Sequence, residues 1–294
     1  MGYQYFGCFM AITFGASLSR CAVLRVKRVL GFASLSAAML AHSAPVTTVV
    51  AEESFGYPGG VSLVGQNGGT GWTGAWVSDS PAFTDFFTNA TGLSLPGSVG
   101  SGGRAVFRSA GPQINDAARR LPLQNTGVVF IQFLSQFGAQ SGGGTPNIRL
   151  DASGIRTGGI GNNGGCGSPV YAILDSNLAA VSCSAVSLSA LSAVVVRIDF
   201  NANVTSMWVL PSLTGFDYLN PPAPSAENIG LAPAFDRIAL YSRSPASIDE
   251  LRVFRVANVV PASAHPIPTL SSRAIGALTA LFLLAGLLLW RRRL

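Results

Sequence analysis

The chain has 294 residues, 48% of them hydrophobic, and a formal net charge of +6 with a pI near 9.5. The basic excess belongs to the two ends: residues 1–44 and residues 267–294 each carry +4, whereas residues 45–266 carry −2. The central segment is therefore close to neutral, which excludes an electrostatic basis for nucleic-acid binding. Its length of roughly 220 residues is sufficient for one hydrophobic core.

Residues 1–44 have the organisation of an export leader. Three basic residues at positions 25–28 precede the apolar stretch 29–41, VLGFASLSAAMLA, which has the length of a signal-peptide h-region. Small residues at 42–44 then provide a cleavage point. The apolar run before position 25 fits this scheme poorly. It indicates either that translation starts further downstream, near residues 23–29, or that the chain has a long signal or an additional membrane segment.

Residues 45–260 have the texture of an all-β domain. Gly, Ser, Thr and Asn separate short runs rich in Val, Ile and Phe, and strand runs at spacings of about 8–12 residues are typical of a sandwich or jelly roll. Asn201-Ala202-Asn203 predicts a hairpin loop, and one slip in the apolar alternation of the last run predicts a bulge. The runs are Val128–Phe133, Val194–Phe200, Val204–Leu210, Ile238–Ser242 and Ile248–Val256.

The stretch Glu53–Trp76, ESFGYPGGVSLVGQNGGTGWTGAW, contains the most distinctive motif of this domain. Gly68-Gly69-Thr70-Gly71 predicts a tight turn where backbones approach closely, and it is not a phosphate loop because no Gly-Lys-Ser/Thr follows. Trp72 and Trp76 could form a sugar-stacking platform, or both indoles could fill the core. We favour the core for these two residues and keep them as possible ligand-binding residues.

Cys166 and Cys183 are the two cysteines outside the leader. They flank the runs 170–174 and 178–181, which are joined by a predicted turn at 175–177. This arrangement predicts a disulfide across a hairpin in an oxidising compartment, with two unpaired cysteines as the alternative.

Histidine is absent between the ends of the chain, since His42 lies in the leader and His265 near the C-terminus. This excludes Ser-His-Asp or Cys-His catalysis and a His-ligated zinc site in the domain. Acid–base chemistry would depend on carboxylates, and no Glu-x-Asp-x-Glu run places two of them on one strand face. We predict no catalytic residue, no enzyme activity and no cofactor. An oxygen-ligated calcium site stays open, although no Asp-rich loop indicates one.

Residues 267–294 predict a membrane segment. Ala274–Trp290 contains no charge, and as a helix it would reach about 25 Å, near the lower limit for spanning a bilayer. Basic flanking residues stay cytoplasmic, so the domain would lie outside. Residues 261–266, PASAHP, predict a short extended tether. The residues expected to fix the topology are Trp290, Arg291, Arg292 and Arg293.

The start of this segment carries a sorting motif formed by Ile267, Pro268, Thr269, Leu270 and Ser271. Followed by an apolar helix and an Arg cluster, it resembles the IPTL-CTERM signal, a relative of PEP-CTERM. Both signals are read by exosortases, polytopic transpeptidase-like membrane enzymes of Gram-negative bacteria. The resemblance implies an exosortase partner, transient membrane anchoring, and then the cell surface or extracellular matrix. Arg273 departs from the family, which usually has Trp at this position.

The domain itself resembles an uncharacterised domain often found ahead of such tails. The resemblance is carried by the motifs NGGTGW-x-GAW (67–76), RIDF (197–200), W-x-x-P-S-L (208–213), FDRI (235–238) and DELR (249–252). Such domains look like concanavalin A-like or laminin G-like jelly rolls. The resemblance implies a fold and a surface location, and it transfers no catalytic residue. We expect a non-enzymatic module that contacts polysaccharide or surface proteins, with a glycan-active enzyme on the same scaffold as the alternative.

Overall fold

The structure is a computed structural model that describes residues 46–79, 86–100, 102–107, 115–137, 147–162, 164–167 and 169–257. These residues form strands and no helix, which confirms the all-β prediction. None of the described segments is a helix that could cross a membrane. The predicted leader, tether, sorting motif and membrane segment, including Ile267–Ser271 and Trp290–Arg293, lie outside the described residues.

Fifteen strands are formed by the described residues, numbered here in chain order. They are β1 (Val46–Glu53), β2 (Thr73–Val77), β3 (Phe87–Asn89), β4 (Arg104–Phe107), β5 (Asn115–Gln124), β6 (Val128–Phe137), β7 (Asn147–Ala152), β8 (Ile155–Gly161), β9 (Val170–Leu174), β10 (Ala180–Ser187), β11 (Ser192–Asp199), β12 (Val204–Leu210), β13 (Ala226–Ile229), β14 (Phe235–Ser242) and β15 (Ala246–Ala257).

The strands form two antiparallel sheets in a jelly-roll sandwich. The eight-stranded sheet has the order β13-β12-β11-β6-β15-β4-β3, and β1 also pairs with β15. The seven-stranded sheet has the order β10-β9-β8-β7-β14-β5-β2. Val46 at the start of β1 pairs with Ala257 at the end of β15, so the first and last residues of the described domain lie side by side.

The main core lies between the two sheets because apolar and polar residues alternate along the strands. In β7, Ile148 and Leu150 belong to this core, and in β14 Ile238 and Leu240 do. Their polar neighbours in sequence consequently project from the outer face of the seven-stranded sheet. This alternation positions the charged groups described below.

A second apolar cluster covers the outer face of the eight-stranded sheet. Phe130, Trp208 and Phe254 project from its strands, and Phe216 and Tyr218 of the loop after β12 pack against them. Trp208 Nε1 donates to the carbonyl of Pro222 at 2.8 Å, and Tyr218 donates to the Gln132 side chain. The loop therefore closes this face of the sandwich.

Three local predictions are confirmed. The hairpin loop at 201–203 joins β11 to β12, with Asp199 paired to Val204. The slip in the last apolar run is a register shift between Asp249 and Arg252, where Glu250 has a φ of 49°. Cys166 and Cys183 form a disulfide with a Cα–Cα distance of 5.9 Å, and Cys183 lies in β10 next to β9.

Candidate functional site

The Gly-rich turn at 68–71 lies against β1, as its composition predicts. A Cβ at Gly69 would lie 2.2 Å from the carbonyl oxygen of Glu52, and one at Gly71 would lie 1.9 Å from that of Val50. Both glycines also have positive φ, 70° and 76°. Only glycine therefore allows the two backbones to approach this closely.

The two indoles beside this turn differ in burial. Trp76 is 0% exposed and donates Nε1 to Glu53 Oε2 at 3.1 Å. Trp72 is half-buried against the core, and its Nε1 donates to the carbonyl of Glu52 at 2.9 Å. The structure thus places Trp76 inside the sandwich, as the core interpretation expects, and leaves only Trp72 with a partly exposed ring.

A buried ion pair, which the sequence did not predict, holds the corner together. Arg119 of β5 donates Nη1 to Glu53 Oε2 at 2.6 Å, and the two side chains are 2% and 1% exposed. The same guanidinium donates to Gly68 O, Gly74 O and Asn67 Oδ1. Glu53 additionally accepts from Tyr57, Trp76 and the Phe55 amide.

The role of this ion pair is structural. Burial, together with the bond to Glu53, raises the pKa of Tyr57 to about 12, so its hydroxyl stays protonated and continues to donate. The Glu53 carboxylate accepts four hydrogen bonds, from Arg119, Tyr57, Trp76 and Phe55. With its lone pairs engaged in this way, it has little capacity left for a substrate or a metal ion.

The outer face of the seven-stranded sheet carries the largest group of charged side chains in the part of the chain that the structure describes. β7 contributes Arg149 and Asp151, β14 contributes Arg237 and Tyr241, β5 contributes Asp116, and Asp79 follows β2. The pairing of β14 with both β5 and β7 brings these residues together. We call this group the Arg–Asp face, and its members are Asp79, Asp116, Arg149, Asp151, Arg237 and Tyr241.

The charged groups of the Arg–Asp face form one connected chain of ion pairs. Arg149 Nη2 lies 2.5 Å from Asp79 Oδ2 and 3.0 Å from Asp116 Oδ1. Arg237 Nη1 lies 3.0 Å from Asp151 Oδ2, and its Nη2 contacts the other carboxylate oxygen of Asp79. Asp79 therefore bridges two guanidinium groups, while its backbone amide donates to Asp116 Oδ2 at 2.7 Å.

Burial in this face changes the proton affinities of two groups. Burial raises the pKa of the Asp151 carboxyl, although Arg149 and Arg156 partly oppose the shift. Burial also lowers the pKa of the Arg237 guanidinium. The Arg149 guanidinium lies 5.1 Å from the centre of the Tyr241 ring, within the range of a cation–π contact. The face thus combines planar hydrogen-bonding groups with an aromatic ring.

A second carboxylate pair, Asp249 and Glu250, is occupied by backbone amides. Asp249 accepts from the amides of Leu93 and Glu250 at 2.7 Å each, and Glu250 accepts from Val99 at 3.2 Å and from Gly100. Burial raises the pKa of Asp249 to about 7. The pair fastens the 93–100 segment to the bulge of β15.

A cavity of about 210 Å³ lies beside Glu250 and is lined partly by Glu52, Thr70 and Arg252. No group of three or more His, Cys, Asp or Glu side chains among the described residues could hold a metal ion.

No family model matches the chain, and neither does any curated protein. Among solved structures, it is similar to a glycosyl hydrolase family 16 protein from Mycobacterium smegmatis, with 15% identity, 70% of this chain and 100% of that chain covered, and a TM-score of 0.41.

It is also similar to peanut lectin, with 10% identity, 73% and 99% covered, and a TM-score of 0.34. A sialidase shows 10% identity and a TM-score of 0.36, with 63% of this chain covered, and the chain spans only 17% of that protein's length. Similarities at these identities and TM-scores assign neither a ligand nor an activity to the chain.

Proposed function

We propose that the sandwich is a non-enzymatic polysaccharide-binding module and that the Arg–Asp face is its binding surface. The observation that carries this proposal is the connected layer of guanidinium and carboxylate groups beside the Tyr241 ring. Sugar hydroxyls both donate and accept hydrogen bonds, and sugar rings present an apolar face to aromatic side chains. The Arg–Asp face supplies hydrogen-bond donors, acceptors and one aromatic ring, which suits both properties.

The other outer face is a poor candidate for the same role. Its aromatic side chains already pack against the loop after β12, and the Trp208 indole is bonded to Pro222. A glycan could reach them only after this loop had been displaced, which would expose the second apolar cluster to water. On the Arg–Asp face, by contrast, the Asp79 carboxylate and the Tyr241 ring are partly exposed.

A glycan array probed with the exported protein tests the proposal. Tyr241→Ala and Arg149→Gln should each weaken retention on the bound glycan by about tenfold. Arg197→Gln is the matched control, because Arg197 forms an ion pair of 2.6 Å with Asp199 on the other sheet. Retention that both Arg–Asp face variants preserve, with melting temperatures unchanged, would exclude this face as the binding surface.

We also propose that the protein is exported and sorted through its C-terminal signal. The motif Ile267–Ser271, its place before an apolar segment, and the Arg cluster support sorting by an exosortase. The Cys166–Cys183 disulfide is in keeping with an oxidising compartment. In a host with a matching exosortase, mass spectrometry of surface material should show loss of the segment that contains Trp290. Retention of Trp290 in most molecules would instead indicate a plain membrane anchor.

A glycan-active enzyme is the second candidate, and Asp151 is the observation that favours it. A buried carboxyl whose pKa is raised can donate a proton to a leaving group, as a glycosidase acid does. A hydrolysis screen decides between the candidates: turnover that Asp151→Asn abolishes, with binding preserved, would establish an enzyme. Binding without turnover would support the non-enzymatic module.

A further inference from the structure

The Arg149–Arg237 pair forms a carboxylate-binding site that is occupied in this structure by Asp79. We propose that this site takes the carboxylate of a uronic acid unit in an acidic polysaccharide, in competition with Asp79. The inference rests on the proposed function, because it names the ligand class for the same face. In this arrangement Asp79 acts as an internal competitor, and it lowers the apparent affinity of the site for the polysaccharide.

The geometry of the pair is that of carboxylate recognition. Arg149 Nη2 contacts Asp79 Oδ2 at 2.5 Å, and Arg237 contacts the other oxygen of the same carboxylate. The two arginines come from neighbouring strands, since Arg149 pairs with Ala239, two residues beyond Arg237 in β14. Two guanidinium groups that each hold one carboxylate oxygen fix both the position and the orientation of an anion.

Asp79 is the most exposed carboxylate of the Arg–Asp face. Its side chain is 29% exposed, compared with 0% for Asp116 and 6% for Asp151. Its backbone amide is held separately by Asp116, and the residue lies beyond the end of β2 rather than within a strand. A ligand carboxylate can therefore replace the Asp79 carboxylate between the arginines without breaking a strand pair.

The face also has donors that lack acceptors. Arg149 is only 9% exposed, yet its Nε has no hydrogen-bond partner among the described residues, and the Nε of Arg156 on neighbouring β8 is in the same condition. Both Nε atoms are enclosed, so a ligand that displaces Asp79 contacts the outer Nη groups of Arg149 and Arg237 instead. Carboxylates only accept, whereas neutral sugar hydroxyls add donors of their own. The two guanidinium groups that hold Asp79 only donate, so they favour a uronate carboxylate over a neutral sugar hydroxyl.

The test compares polygalacturonate with its fully methyl-esterified form by titration calorimetry on the exported protein. We expect the free acid to bind at least about tenfold more tightly, and Asp79→Asn to strengthen its binding by about tenfold more, because the competitor loses its charge. Binding of the ester should not change. Asp236→Asn is the matched control: it removes an equal charge from the same sheet, where Asp236 pairs with Arg120 at 3.6 Å, and should change affinity less than about twofold.

The outcomes separate this inference from the proposed function. Equal gains from Asp79→Asn and Asp236→Asn would show general electrostatics and overturn the Asp79 site. Equal binding of acid and ester by the unchanged protein, lost in Tyr241→Ala, would overturn the uronate preference and leave polysaccharide binding intact. The comparison of acid with ester requires no variant at Asp79. It therefore tests the uronate preference even if Asp79→Asn does not fold. Failure to bind either polymer or any glycan on the array would refute both proposals.

Discussion

Replacing Arg119 by methionine tests whether the buried ion pair organises the corner formed by residues 53–76. Arg119 and Glu53 are 2% and 1% exposed, so the variant leaves a carboxylate buried without its cation. Breaking a buried pair in this way costs about 3–5 kcal/mol, because the remaining charge is neither solvated nor paired. Methionine has a similar length and fills the site, so the loss reports mainly on the ion pair and its hydrogen bonds.

This loss is large on the scale of the whole domain. A domain of this size has a free energy of unfolding of about 5–15 kcal/mol, and each kcal/mol shifts its melting temperature by about 2–4 °C. Arg119→Met should therefore melt about 6–20 °C lower. Adding Glu53→Gln removes the orphan charge while keeping a carbonyl acceptor for Tyr57 and Trp76, so the double variant should recover about 1–3 kcal/mol.

Thermal melts and urea titrations of the single and the double variant, followed by far-UV circular dichroism, measure these changes. Arg197→Met is the control, since its ion pair with Asp199 has the same 2.6 Å distance but Arg197 is 32% exposed. It should lose less than about 1 kcal/mol. The reasoning is refuted if Arg119→Met costs no more than this control, or if Glu53→Gln destabilises the Arg119→Met protein further.

Three further predictions concern stability. Trp76→Ala should lower the free energy of unfolding by about 3–5 kcal/mol in a urea titration. Trp72→Ala should lower it clearly less, because the Trp72 ring is half-buried. Equal losses in the two variants would contradict the assigned burial. The pKa of Asp249 in the folded protein, about 7, exceeds its usual value of 3.8, so its stabilising contribution is complete below about pH 4, falls as pH rises from about 4 to 7, and is lost above 7. No histidine lies within residues 46–257, so Asp249→Asn should flatten the pH dependence of the urea midpoint between about pH 5 and 7, and an unchanged slope would exclude Asp249 as its source. Cys183→Ser should lose about 3 kcal/mol of the free energy of unfolding, and a thiol reagent should label the protein without residues 1–44 only after reduction.

The local architecture was predictable because it depends on short stretches of sequence. Alternation in Ile248–Val256 predicted both a strand and its bulge, and Asn201–Asn203 predicted the loop between β11 and β12. The spacing of Cys166 and Cys183 around two short runs was sufficient to predict their disulfide. Each of these features is determined by neighbours within about 20 residues.

The polar networks were not predictable because their partners are distant in the chain. Arg119 and Glu53 are separated by 66 residues, and Arg237 and Asp79 by 158. The alternation of apolar and polar residues in β7 does predict that Arg149 and Asp151 project from the face opposite to the core. This is the one feature of the sequence that indicated the Arg–Asp face. It cannot show that β14 lies between β7 and β5, and only that order assembles the Arg–Asp face.

The two kinds of polar network in this domain explain why one face is the better candidate for binding. In the corner, Glu53 accepts four hydrogen bonds and Arg119 donates to four acceptors, so a ligand would have to break existing bonds. In the Arg–Asp face, the Asp79 carboxylate that bridges Arg149 and Arg237 is 29% exposed, so a ligand anion can exchange for it. A network closed entirely by buried groups contributes stability, whereas one closed by an exposed carboxylate can also exchange that carboxylate for a ligand. Binding is therefore expected where the bridging carboxylate is exposed to solvent.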